Sequence, residues 1–180
     1  IIGQTDVLYD QSTPTCTSSA PQHDYTNYGC SFNVRGNPTG VKQLVSGTTF
    51  LTTTNTFDDL GNVRSTTDPG GHTTNFSYTD DYSDGINRNS FAYLTQSTKP
   101  SPFNSQTVRT KYNFQTGLPV SITDENSRVT SFSYLDSAGV PDKFNRLRKT
   151  DFPDTGQTKV DYDDVNRTVT TTTKRTATAN

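Results

Sequence analysis

The segment Asp80-Asp81-Tyr82-Ser83-Asp84-Gly85 sets carboxylates at alternate positions ahead of a glycine. Oxygen ligands at that spacing, backed by a sharp turn, are what a calcium-wrapping loop requires. The third ligand position holds Tyr82 instead of Asp or Asn, and the twelfth holds Phe91 instead of Glu. Asp80 and Asp84 are therefore weak calcium candidates, and a solvated acidic turn is the plainer expectation. No metal and no cofactor is assigned. His23 and His72 are the only histidines, and His72 follows the Asp68-Pro69-Gly70-Gly71 turn. No nucleophile-elbow motif accompanies them, and no base, nucleophile and orienting group recur at a spacing that would activate one another. The chain is read as non-enzymatic, with no catalytic residue.

Cys16 and Cys30 bracket a loop rich in Ser, Thr and Pro. Their spacing excludes a CxxC redox motif and a zinc cluster. The expectation is a disulfide, which by the chain-entropy argument is worth roughly 3 kcal/mol for a loop of this size. The alternative is two unrelated buried thiols. A disulfide places the protein outside the cell or on its surface. Asn75-Phe76-Ser77 and Asn166-Arg167-Thr168 are N-glycosylation sequons, although so Ser- and Thr-rich a chain produces them by chance.

These residues sit between strands that repeat. Thr74-Phe76-Tyr78, Val108-Thr110-Tyr112, Thr130-Phe132-Tyr134 and Thr158-Val160-Tyr162 each present one face of an alternating strand that ends on Tyr. Phe32 and Phe57 hold the same place earlier, so the repeat anchors are Phe32, Phe57, Tyr78, Tyr112, Tyr134 and Tyr162. The turns after the anchors repeat as well. Phe32-Asn33-Val34-Arg35-Gly36, Phe57-Asp58-Asp59-Leu60-Gly61 and Tyr162-Asp163-Asp164-Val165-Asn166 share one pattern, with Asn166 in the place of glycine. A second set of turns lies between anchors: Thr67-Asp68-Pro69-Gly70-Gly71, Thr98-Lys99-Pro100-Ser101-Pro102, Thr123-Asp124-Glu125-Asn126-Ser127 and Thr150-Asp151-Phe152-Pro153-Asp154. The unit is strand, turn, strand, turn, with a period of roughly 20 to 25 residues that points to an array of supersecondary units.

These motifs resemble the YD repeats of the RHS family. The best copies run from Phe57-Asp58-Asp59-Leu60-Gly61-Asn62-Val63 through Asp68-Pro69 to Phe76-Ser77-Tyr78, and from Thr116-Gly117-Leu118-Pro119 through Asp124 to Phe132-Ser133-Tyr134. Arg35-Gly36-Asn37-Pro38-Thr39 fits as well, and the resemblance runs from Phe32 to the C-terminus. It implies an all-β, antiparallel β-hairpin repeat array, a solenoid-like sheet. In RHS and teneurin relatives such a strip winds into a hollow shell that can enclose cargo. The self-cleaving region and variable toxin of full-length RHS proteins have no counterpart here.

Along the chain, residues 1–31 read as a degenerate or capping segment carrying the Cys loop. Residues 32–180 read as the array, with repeats at about 32–57, 57–78, 79–112, 112–134 and 135–162, and an incomplete one at 162–180. In the expanded third repeat a strand is expected to resume at Phe91-Ala92-Tyr93-Leu94. The strands ending on Tyr are expected at 72–79, 106–113, 128–135 and 157–163.

Composition bounds the partners. Apolar residues make up 28% of the chain, aromatic residues 11%, and mean hydropathy is −0.79. So low an apolar fraction would suggest disorder, but the alternation and a Thr content of about a fifth favour pleated strands. No amphipathic helix is found. Net charge is −2, with no basic block beyond Lys174-Arg175, which argues against nucleic acid. No apolar run approaches a membrane span. The chain starts and ends in strand-like segments without closing turns, so it reads as a processed product or a section of a longer array.

Two functions from different classes follow. The first is a structural extracellular shell fragment or self-assembling fibre subunit. Its partners are other copies, met by strand-edge pairing of Thr168–Thr173 with Ile1-Ile2-Gly3-Gln4-Thr5, or the remaining repeats of a longer parent chain. The second is an adhesive or carbohydrate-binding module that stacks sugars on exposed Tyr25, Tyr28, Tyr82 and Tyr93, so glycans are admitted as partners.

Overall fold

The computed structural model describes residues 3–17, 19–100 and 106–175. Ile1, Ile2, Ser101, Pro102 and residues 176–180, on which parts of the expected terminal strands and of one turn rest, lie outside the described residues. The chain is all-β and divides into two compact units.

The first unit takes Ile1–Asp80 and Asn87–Thr107. Its strands are β1 (Thr5–Tyr9), β2 (Pro38–Ser46), β3 (Thr49–Phe57), β4 (Val63–Thr67), β5 (Thr73–Ser77) and β6 (Gln96–Thr98). They pair antiparallel in chain order. The second unit takes Asp81–Ile86 and Val108–Asn180. It holds β7 (Thr107–Tyr112), β8 (Pro119–Thr123), β9 (Val129–Ser133), β10 (Lys149–Asp151), β11 (Gln157–Asp163) and β12 (Thr168–Lys174), again antiparallel in chain order. The strands expected to end on tyrosine are thus β5, β7, β9 and β11, each trimmed by no more than two residues at either end.

Period-two alternation explains the faces. In the second unit Thr110, Ile122 and Thr130 lie side by side, as do Phe132, Thr150, Thr158 and Thr173. The opposite face carries exposed Arg109, Lys111, Lys159 and Asp161. Hydroxyls rung the strands together. Thr56 and Ser65 meet at 2.7 Å, Thr67 and Thr73 at 2.8 Å, and Thr66 donates to the Asn55 side chain at 2.9 Å. Such cross-strand pairs contribute about 0.2–1 kcal/mol each, so Thr carries work that aliphatic residues do elsewhere.

The core is small. Among the described residues the buried apolar side chains are Pro14, Ala20, Phe57 and Tyr82, against five buried polar ones: Thr39, Asp58, Asp59, Thr95 and Asp142.

The Cys loop holds one short helix, α1 (Tyr25–Tyr28), capped by the Asp24 side chain, which accepts from Asn27 N. Three local expectations are corrected. Phe32 ends no strand; it follows α1 and is exposed. No strand forms at Phe91-Ala92-Tyr93-Leu94. Asn89 (φ 53°) and Phe91 (φ 49°) are left-handed, which breaks an extended run, and pairing resumes only at β6. In the last hairpin the left-handed residue is Arg167 (φ 58°), not Asn166. There Asp163 pairs with Thr168, whereas Phe57 pairs with Val63, so the last loop is one residue shorter and the positive φ that Gly61 carries moves onto its final residue. Asn166 instead caps the turn through Asp163.

Candidate functional site

The polar groups concentrate in the turns, and one arrangement recurs. The main-chain oxygen of Asp58 accepts from Gly61 N at 3.1 Å. Its Oδ1 accepts from Leu60 N at 3.1 Å and Asn62 N at 2.8 Å. Asp124, Asp136 and Asp142 repeat the pattern at the same offsets: Asn126 N and Arg128 N on the first, Ala138 N and Val140 N on the second, Phe144 N and Arg146 N on the third. Asp thus staples a tight turn by standing in for a backbone acceptor. Long Leu135–Phe144 is two such turns in succession, which its sequence reads only as an insertion.

Anchors and staples work together. The Tyr134 hydroxyl donates to the Pro119 oxygen at 3.0 Å, and the Tyr162 hydroxyl donates to the Leu147 oxygen at 3.3 Å, each fifteen residues upstream. Burial raises the pKa of Tyr134, and of Tyr78, where the Asp58 carboxylate adds to it. Tyr112 closes β7 and Phe57 closes β3, the latter buried.

The Cys loop is fastened to the Asp58-Asp59 turn. Cys16 and Cys30 are disulfide-bonded, with Cα atoms 5.2 Å apart. Thr15 N donates to the Phe57 oxygen at 2.9 Å, and Asp59 N donates to the Thr15 oxygen at 3.0 Å. Thr17 gives both its N and its Oγ1 to Asp59 Oδ1, at 3.0 and 2.7 Å. Tyr25 reaches the same point: its hydroxyl lies 2.9 Å from Thr17 Oγ1 and accepts from Ala20 N at 2.7 Å. Arg35 donates to the Asp59 oxygen at 2.8 Å, to Gly29 O at 2.7 Å and to Tyr28 O, and lies over the Phe32 ring. Asp59 is buried, and its Oδ2 is the one buried side-chain atom among the described residues without a hydrogen-bond partner. Neither the burial of this acidic pair nor its seal by the Cys loop was visible in the sequence, where Asp58-Asp59 is an ordinary polar turn.

A second cluster surrounds Asp142. Its carboxylate accepts from Arg146 Nε at 3.1 Å and from Arg148 Nε at 2.9 Å. Arg146 also makes a two-pronged contact with Asp164, at 2.7 and 2.9 Å, and lies 4.1 Å from the Tyr162 ring centre. The Arg146 hydrogen bonds hold the Asp142 carboxyl far below the usual carboxylate range, and hydrogen bonds to Asp164 first, then Asp142, raise the pKa of Arg146.

The expected chemistry is otherwise engaged. Burial would raise the pKa of Asp80, but donors outweigh it: Ser90 Oγ at 2.6 Å, Ser90 N at 3.0 Å, Arg88 N at 2.9 Å and Phe91 N at 3.2 Å. That network explains the left-handed Phe91. Asp84 caps its own turn by accepting from Ile86 N. Among the described residues no three His, Cys, Asp or Glu gather as a ligand set. His72 Nδ1 contacts Asp68 within its turn at 3.0 Å, and His23 lies edge-on to Tyr25. Of the aromatic residues expected to stack sugars, Tyr82 is buried at 4% exposure against Phe114, so it offers no platform. Tyr25 and Tyr93 are half-buried, and Tyr28 is exposed, edge-on to Phe32. A groove of about 440 Å³ in the second unit is lined by Ser133, Leu135, Ser137, Lys149, Lys159 and Asp161 among others, with no histidine or cysteine. No described helix is long and apolar enough to cross a membrane.

No family model and no curated protein matches the chain.

Proposed function

We propose that the chain is a structural, non-enzymatic section of an extracellular YD-repeat array, built to assemble through strands and not to turn over a substrate. The carrying observation is the anchor geometry. Two successive repeats send a tyrosine hydroxyl to a carbonyl at the same upstream offset. A one-off fold has no reason to reproduce that offset, whereas a solenoid must. The stapled turns support the reading, because the Asp58, Asp124, Asp136 and Asp142 carboxylates are engaged as turn acceptors. The disulfide fits an oxidising, extracellular setting. Assembly partners are then strands: further repeats of the same kind, or other copies.

Internal duplication of residues 113–134 tests the array. Each such segment carries one turn-strand-turn-strand unit, so the enlarged protein is expected to keep its sheet spectrum and unfold at an equal or higher midpoint. Loss of the sheet on duplication overturns the reading.

A second reading, carbohydrate adhesion, is favoured by one feature: the exposed Tyr28 and Phe32 pair beside Arg35. Its test is a glycan array probed with the intact protein and with Tyr28→Ala. A binder lost on substitution supports it; an empty array removes it.

A further inference from the structure

The Cys loop lies over the Asp58-Asp59 turn, and its two roots are pinned without help from the disulfide. Asp10 N donates to the Asn37 oxygen at 3.0 Å, and Gln11 N donates to Thr39 Oγ1 at 2.9 Å. The Asp10 carboxylate accepts from the main-chain N–H groups of Arg35, Gly36 and Asn37. Between the roots little apolar surface holds the loop down: its buried apolar side chains among the described residues are Pro14 and Ala20. The rest of its hold is polar and centred on Cys16. Thr15, on one side of it, exchanges bonds with Phe57 O and Asp59 N, and Thr17, on the other, gives two bonds to Asp59 Oδ1. The closed loop also carries a cost. Asp59 is 1% exposed and its Oδ2 has no donor, a want that water meets once the loop lifts. Cys16 itself is exposed.

We infer that the Cys16–Cys30 bond is a redox latch: a dithiol reductant that breaks it frees the loop to lift from Asp59 while the sheet stays paired. A thiolate of the reductant attacks the exposed Cys16 Sγ, the bond to Cys30 breaks, and a mixed disulfide forms. The second thiol of the reductant then closes its own disulfide and releases Cys16. Both cysteines end as thiols, having gained the two electrons and two protons that the dithiol gives up. Cutting the cross-link restores chain entropy to the open loop, and opening hydrates Asp59 Oδ2, so both effects raise the open share. The ladders from β1 to β4 lie outside the loop and keep their own hydrogen bonds, so opening is local.

Amide exchange of the intact protein, oxidised and then treated with dithiothreitol, tests this. The amides of Thr15, Thr17 and Asp59 bond across the loop contact, and reduction should speed their exchange roughly tenfold or more. Exchange in β3 and β4 should stay as it was, and so should the sheet spectrum. Limited proteolysis should begin to cut within residues 12–34. The double variant Cys16→Ser, Cys30→Ser should behave like the reduced protein whether or not dithiothreitol is present. Unchanged exchange at Thr17 and Asp59 after full reduction would overturn the inference, because the hydrogen bonds alone would then hold the loop. Exchange in β3 and β4 rising in step with the loop would overturn it as well, because the bond would then staple the whole unit and latch nothing.

Discussion

Asp58→Ala should unfold the first unit far more readily than the same change at Asp124, although both residues staple the same turn. Each gives Oδ1 to two backbone N–H groups: Leu60 and Asn62 at Asp58, Asn126 and Arg128 at Asp124. Asp58 is fully buried, 0% exposed, beneath the Cys loop, while the Asp124 turn faces solvent. Removing Asp58 takes the buried acceptor from two donors on half-buried Leu60 and Asn62, and an unsatisfied buried group costs about 1–3 kcal/mol, so the loss is at most roughly 2–6 kcal/mol. At Asp124 water replaces the carboxylate, and the loss falls to about 0.5–1.5 kcal/mol. With a urea slope of about 2 kcal/mol per molar, a loss of about 4 kcal/mol moves the midpoint by about 2 M. Urea unfolding followed by circular dichroism measures this, and amide exchange in β3 and β4 localises it. Asp58→Asn keeps the Oδ1 acceptor and should cost distinctly less than alanine. Equal midpoint shifts for Asp58→Ala and Asp124→Ala would refute the argument that burial, not the turn itself, sets the cost.

Replacing Cys16 and Cys30 together by serine should cost about 3 kcal/mol, since the loop closes over a separation of 14 residues, and a chemical melt of the reduced-form mimic checks it. Tyr82→Ala should cost about 3–5 kcal/mol, because the ring is buried against Phe114, whereas Tyr28→Ala should be close to neutral; thermal melts of the two variants separate them. Stability should fall in acid. Backbone donors, that of Gly36 first, hold the Asp10 pKa low; the His72 amide does so at Asp68, the Arg146 side chain at Asp142 and the Asn166 amide at Asp163. A depressed folded pKa stabilises above the unfolded value and is lost as pH falls through the folded one, so melting midpoints should hold near neutrality and drop below about pH 4. A midpoint unchanged down to about pH 2 would contradict it.

Strands and their direction were legible in the chain alone, because period-two alternation and Asp, Pro and Gly turns act over a few residues. Tyr78, Tyr112, Tyr134 and Tyr162 mark the ends of β5, β7, β9 and β11 to within one residue. The cysteine pairing was legible as an expectation for the same reason, since a short loop brings its ends together. Tertiary structure alone decided which repeats are buried. Asp58-Asp59 and Asp163-Asp164 read alike, yet the first pair lies under the Cys16 loop and the second is exposed at a hairpin tip. It also decided that Tyr82 faces inward, and that Asp80 spends its oxygens on Arg88, Ser90 and Phe91. Local sequence sets which backbone each residue prefers. Whether water reaches a given carboxylate depends on a segment forty residues away, and no local pattern encodes that.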